Sequence, residues 1–89
     1  MSWRIDFSTA SLRFLKKNNL EEYFIIDKIQ LALRKFKGES ININVKKLNG
    51  KWEGFYRIRS NRLRIIIEFK FEQNQAYIEE IDWRGNIYK

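Results

Sequence analysis

Residues 3–7, Trp-Arg-Ile-Asp-Phe, alternate apolar and polar side chains, the period of a half-buried strand. Ser8 or Thr9 then stands where a helix N-cap is wanted, ahead of Leu12, Phe14 and Leu15, and Lys16, Lys17, Asn18 and Asn19 close that segment. A second helix follows, with Asn19 as its expected cap. Glu21 and Glu22 suit its positive end, Arg34, Lys35 and Lys37 its negative end, and Gly38 a left-handed C-terminal position. Ile26, Ile29, Leu33 and Phe36 recur at i, i+3, i+7 and i+10, with Ile25 beside them. One wide apolar stripe of this kind is a core-facing surface.

After residue 40 the period changes to two. Residues 51–59, 62–71 and 76–83 read as three strands, joined by a two-residue Ser60-Asn61 loop and a second turn at 72–75. Ile78 and Ile81 are three apart and cannot share a face of a regular strand, so a bulge is expected near Glu79-Glu80. The pattern gives one α+β domain over residues 1–89. Its order is an N-terminal strand, two helices and a three-stranded antiparallel meander, with the helices on one face of a four-stranded sheet.

The hairpin sorts its side chains sharply. With Ser60 and Asn61 as the loop, Arg59 faces Arg62, Ile58 faces Leu63, Arg57 faces Arg64 and Tyr56 faces Ile65. One face then carries Tyr56, Ile58, Leu63, Ile65, Ile67, Phe69 and Phe71, and the other gathers Arg57, Arg59, Arg62 and Arg64, with Phe55. Like charges opposed on a sheet cost about 0.2–1 kcal/mol per pair. Either acids such as Glu53, Glu79 or Asp82 offset them, or the face binds an anion. Arginine at all four places favours bidentate recognition of phosphate and stacking on bases. Trp52, Trp83 and Tyr88, at strand ends or beyond, are rings on which bases could stack.

Composition narrows the chemistry. The chain has 89 residues, a formal charge of +7, no cysteine and no histidine. A polyanionic partner suits the charge. The missing thiols exclude disulfides and thiolate metal sites and fit a reducing cytoplasm. Without histidine the usual base near neutral pH is absent, and no metal or cofactor site is expected. No apolar run suits a signal peptide or a membrane span.

The runs Lys47-Leu48-Asn49-Gly50, Gly54-Phe55-Tyr56-Arg57-Ile58-Arg59, Arg62-Leu63-Arg64-Ile65-Ile66, Ile81-Asp82-Trp83-Arg84 and Ile87-Tyr88 resemble the RelE/ParE superfamily, the toxins of type II toxin–antitoxin modules. The resemblance implies a RelE-like microbial RNase-type fold. For the RelE-like branch it implies a ribosome-dependent endoribonuclease that cuts translated mRNA by 2′-hydroxyl attack. On that resemblance Arg57, Arg59, Arg64, Arg84 and Tyr88 form the catalytic set, with Arg64 on the scissile phosphate, and Lys46, Lys47, Lys51, Arg62 and Trp83 bind RNA. The implied partners are a cognate antitoxin, the ribosome and mRNA, with operator DNA reached only through the antitoxin complex, and no membrane. Two departures stand out. Trp83 occupies a place where many relatives carry histidine, and Lys46-Lys47 one where others carry glutamate. Arginine is a poor base, which leaves Tyr88, Lys46, Lys47, Lys51, Glu53 and Asp82 as proton-transfer candidates. The alternatives are a ParE-like inhibitor of DNA gyrase and a catalytically silent antitoxin-binding homologue.

Overall fold

The computed structural model describes residues 2–83. Strand β1 (Arg4–Phe7) leads into helix α1 (Thr9–Lys17), helix α2 (Glu22–Phe36) and strands β2 (Asn44–Lys47), β3 (Phe55–Ser60), β4 (Leu63–Lys70) and β5 (Gln75–Trp83). Single 3-10 turns at Gly50–Trp52 and Phe71–Gln73 complete the order. The α+β class holds, but the sheet has five strands rather than four, in the order β1-β5-β4-β3-β2. The added strand, β2, is only four residues long and lies at the edge. The N-terminal strand joins β5 in parallel, while the remaining pairs are antiparallel.

Ser8 caps α1 as expected, its hydroxyl accepting from the Ser11 N–H. Asn19 does not cap α2. It adopts a left-handed φ of 55° and closes α1 instead, with Asn19 N–H donating to Lys16 O and Leu20 N–H to Leu15 O. That is the Schellman arrangement, which asparagine tolerates better than most residues. Helix α2 therefore starts from Glu21, which makes no side-chain cap bond. It ends as expected at Gly38 (φ 96°), through Gly38 N–H to Lys35 O and Glu39 N–H to Arg34 O. The buried line of α2 runs through Ile25, Ile29 and Ala32, with Ile26 and Leu33 flanking it.

The helices cover one face of the sheet. Leu15, Ile25, Ile29 and Ala32 pack there with Ile58, Leu63, Ile65, Ile67, Phe69, Ala76, Ile78 and Ile81. The strand expected over 51–59 begins only at Phe55, because Gly50 (φ 68°) and Gly54 (φ 94°) take backbone positions an extended strand cannot contain. Phe71 lies past β4 on a 3-10 turn and is half exposed, although its ring stacks on Phe69.

The hairpin loop is Asn61-Arg62, one residue later than the sequence suggests. Ser60 pairs with Leu63, Arg59 with Arg64, Ile58 with Ile65, Arg57 with Ile66 and Tyr56 with Ile67. Asn61 supplies the left-handed turn residue (φ 56°). Moving the loop by one changes each partner by two, so the division into faces survives while the pairs change. The expected bulge is present: Ile66 pairs with Glu80 and Ile67 with Ile78, leaving Glu79 as the extra residue. The Ser8 hydroxyl donates to Glu79 O at 2.7 Å and the Ser11 hydroxyl to Ile78 O at 3.2 Å, so the start of α1 clasps the bulge.

Candidate functional site: the arginine face

Strand alternation and register place the polar side chains of the helix-free face in rows. One row runs Asn44, Arg59, Arg64, Asp82 across β2, β3, β4 and β5. The next runs Lys46, Arg57, Ile66, Glu80, and a third Phe55, Glu68, Tyr77. Arg57, Arg59, Arg64 and Lys46 therefore share one face. Arg59 and Arg64 are directly opposed, whereas Arg57 faces Ile66 and not Arg64. Arg62 sits in the exposed turn and faces no arginine.

The centre of this face is enclosed. Arg64 is 6% exposed and Ile66 fully buried, although neither belongs to the helix-packed core. The guanidinium of Arg57 donates to Asn44 Oδ1 at 3.2 Å, while its buried Nε makes no hydrogen bond. A buried guanidinium N–H without an acceptor is costly in a folded protein, and the guanidinium fork can pair with an oxyanion. Where the β3–β4 turn meets α2 and the start of β2, Arg59 borders a hollow of about 420 Å³ lined also by Lys28, Leu31, Asn42, Ile43, Ser60 and Asn61. Its amides and hydroxyl can donate and accept.

Other expected residues lie elsewhere. Lys47 is opposite Tyr56 and so on the other parity from the arginines. Lys51 sits exposed on the 3-10 turn, and Glu53 is exposed just after it. Trp83 pairs with Leu63, packs edge-on to Phe14 at 5.4 Å, and helps line an apolar hollow with Leu20, Phe24 and Leu63. It belongs to the helix side, where Arg62 of the turn also lines the hollow, and not to the row of Arg59 and Arg64. Phe55 is on the arginine face, with Trp52 against it at 5.6 Å. Arg84 and Tyr88 lie outside the described residues.

The acids of this face were only partly legible in the sequence. Asp82 was weighed as a counter-charge and as a proton-transfer candidate but not placed on a face, Glu80 was considered only as part of the bulge, and Glu68 was given no role. The signal was available: with Ile78 and Ile81 both inward, Glu80 and Asp82 flank Ile81 and must point outward. The Glu80 carboxyl is held above the ordinary carboxylate value, chiefly by burial and then by the charges of Asp82 and Glu79. Asp82 Oδ1 accepts the Trp83 N–H at 2.7 Å. Among the described residues no three acidic side chains are grouped to hold a metal, and no helix is long and apolar enough to cross a membrane.

No family model matches the chain, and none of the curated proteins does. Solved structures do match in fold over nearly the whole length. The archaeal RelE–RelB complex of Pyrococcus horikoshii OT3 contains a chain 21% identical, with TM-score 0.65 over 97% of this chain and 99% of that one. The toxin–antitoxin complex RelBE2 of Mycobacterium tuberculosis gives 20% identity and TM-score 0.61 over 94% and 100%. A metal-bound toxin from Helicobacter pylori gives 14% and 0.69 over 97% and 99%. At these identities the likeness is one of fold, and it is the fold that the sequence resemblance implied.

Proposed function

From a chain with the RelE-type fold and an arginine-lined, helix-free sheet face, we propose the toxin of a type II toxin–antitoxin pair. In this reading it acts in the cytoplasm as a ribosome-dependent endoribonuclease on translated mRNA. The observation that carries it is the opposed pair Arg59 and Arg64, with Arg57 and Lys46 in the adjoining row. By register these four cations share adjoining rows of one sheet face. The toxins of similar fold were solved with their antitoxins, which supports a cognate antitoxin as partner, and the +7 charge suits an acidic segment of it.

In the proposed reaction the 2′-hydroxyl attacks the adjacent phosphorus, the P–O5′ bond breaks, and the products are a 2′,3′-cyclic phosphate and a 5′-hydroxyl. Arg57, Arg59 and Arg64 neutralise the charge that builds on the non-bridging oxygens, with Arg64, the least mobile of them by burial, on the scissile phosphate. Preorganised donors of this type commonly supply the largest share of a rate enhancement. Arg84 and Tyr88 complete the set in the family pattern. Primer extension on a translated message after induction tests the reading. Wild type should cut, and Arg64→Ala should lower cleavage by about 10²–10³-fold and relieve growth arrest. Intact message from an arresting wild type, accompanied by DNA-damage signalling, would transfer the case to gyrase inhibition.

A further inference from the structure

The arginines explain how charge is neutralised on this face and leave the proton unassigned. Arginine stays protonated, and the chain has neither histidine nor cysteine. Glu80 occupies the row of Lys46, Arg57 and Ile66, one strand from the Arg64-bearing strand β4 and two from Arg57. At a strand spacing of about 4.8 Å, Glu80 lies on the same face as Arg64 and Arg57, whose guanidinium turns to Asn44 on β2.

Among the described residues Asp82, Glu68, Lys46 and Tyr77 also share this face. Asp82 accepts the Trp83 N–H at Oδ1, at the end of β5. Glu68 lies in the next row, between Phe55 and Tyr77 and away from the opposed arginines. Lys46 offers an ammonium, which is a proton donor. Among the described residues Glu80 combines a partly buried carboxyl, a place in the row of Arg57 and next to the row of Arg64, and a backbone fixed at a bulge. Bulges re-aim side chains beside active sites, and here the Ser8 and Ser11 hydroxyls hold the two carbonyls that precede Glu80.

We propose that Glu80 is the proton acceptor of the reaction, taking the proton from the attacking 2′-hydroxyl. The proposal rests on the RNA-cleavage reading above. In the step, the O2′–H proton passes to a Glu80 carboxylate oxygen as the O2′–P bond forms. The P–O5′ bond breaks, and the leaving oxygen takes a proton from water. Glu80, now protonated, returns its proton to solvent. Asp82 and Glu79 on its own strand are the charges that act on the carboxyl, and by register Arg64 and Glu68 on β4, Arg57 and Arg59 on β3, and Lys46 on β2 share its face among the described residues. From α1, Ser8 and Ser11 bind the backbone of the bulge. Burial and the two neighbouring acids raise the proton affinity of Glu80. A carboxylate with a raised proton affinity is a stronger base than an ordinary one.

Single-turnover cleavage of a message on programmed ribosomes, followed from about pH 5 to 8, tests this. Glu80→Gln should cut about 10²–10⁴-fold more slowly, bind the ribosome as wild type does, and lose the fall in rate toward acid pH. Glu80→Asp should recover part of the rate and keep that acidic limb. Circular dichroism of Glu80→Gln guards against misfolding, since removal of a raised carboxylate should not lower its melting temperature. If Glu80→Gln cuts at the wild-type rate with the wild-type pH profile, Glu80 is not the base and the RNA-cleavage reading stands. If wild type leaves the message intact, both readings fall together.

Discussion

Ser8 links the start of the chain to the arginine face, and its removal can be worked through in some detail. Its hydroxyl oxygen accepts the Ser11 N–H at 3.0 Å, capping α1, and its proton goes to Glu79 O at 2.7 Å, on the bulge of β5. The Ser11 hydroxyl lies 2.9 Å away and turns to Ile78 O. Ser8→Ala removes the cap, at about 1 kcal/mol. It also removes the donor to the bulge carbonyl, at about 1 kcal/mol more for an acceptor left short of a partner. The sum, about 2 kcal/mol, is a large share of the roughly 4–13 kcal/mol expected for a domain of this size. It should lower the melting temperature by about 8–16 °C. Thermal and urea unfolding followed by circular dichroism measure it, with Ser8→Thr, which keeps both bonds, as the control. A Ser8→Ala protein within about 0.5 kcal/mol of wild type, the usual span of surface changes, would show that the two bonds do not hold the bulge.

Two further outcomes concern stability alone. Glu80 has a folded-state affinity for protons above the unfolded value, so its contribution is fully present below the unfolded pKa and is lost as pH rises through the folded one. Glu80→Gln should therefore be more stable than wild type at neutral pH, and urea midpoints taken along a pH series should show the advantage vanish below the ordinary carboxylate range. Ile29 is fully buried at the centre of the α2 line, so Ile29→Ala should cost about 2–5 kcal/mol, read as a lowered urea midpoint at unchanged slope.

What the sequence disclosed and what it hid divide along physical lines. Period and parity survive a small error in register: Tyr56, Ile58, Leu63, Ile65, Ile67 and Phe69 fell on the right face although the loop was placed one residue early. The actual pairs did not survive it. They depend on which residue takes the left-handed turn conformation, and both Ser60-Asn61 and Asn61-Arg62 contain a plausible candidate. Strand β2 was missed although Ile41, Ile43 and Val45 alternate with asparagines, because four residues at a sheet edge leave too short a signal. Asn19 was assigned to the wrong helix since asparagine serves equally as an N-cap and as a left-handed C-terminal residue. Trp83 followed the register of Leu63 to the helix side, an outcome that the bulge decides and that aromatic character does not.

The bulge also explains how a strand rich in acid comes to border an arginine cluster. Without the extra residue at Glu79, an alternation that keeps Ile78 inward would turn Glu80 inward too, onto the helices. With it, Ile78 and Ile81 both reach the core and Glu80 and Asp82 both emerge beside Arg64 and Ile66. An acid in that position opposes the approach of a phosphate, by about 3 kcal/mol for unit charges 5 Å apart at an effective dielectric near 20. Three guanidiniums and an ammonium on the same face outweigh one or two such terms. The repulsion has a chemical use as well. An arriving phosphate is a like charge, and like charges raise the proton affinity of a carboxylate. Under the proposed reaction, substrate binding would thus strengthen Glu80 as a base at the moment the 2′-hydroxyl must lose its proton. A face built only of arginines would bind the phosphate more tightly and have nothing to receive that proton.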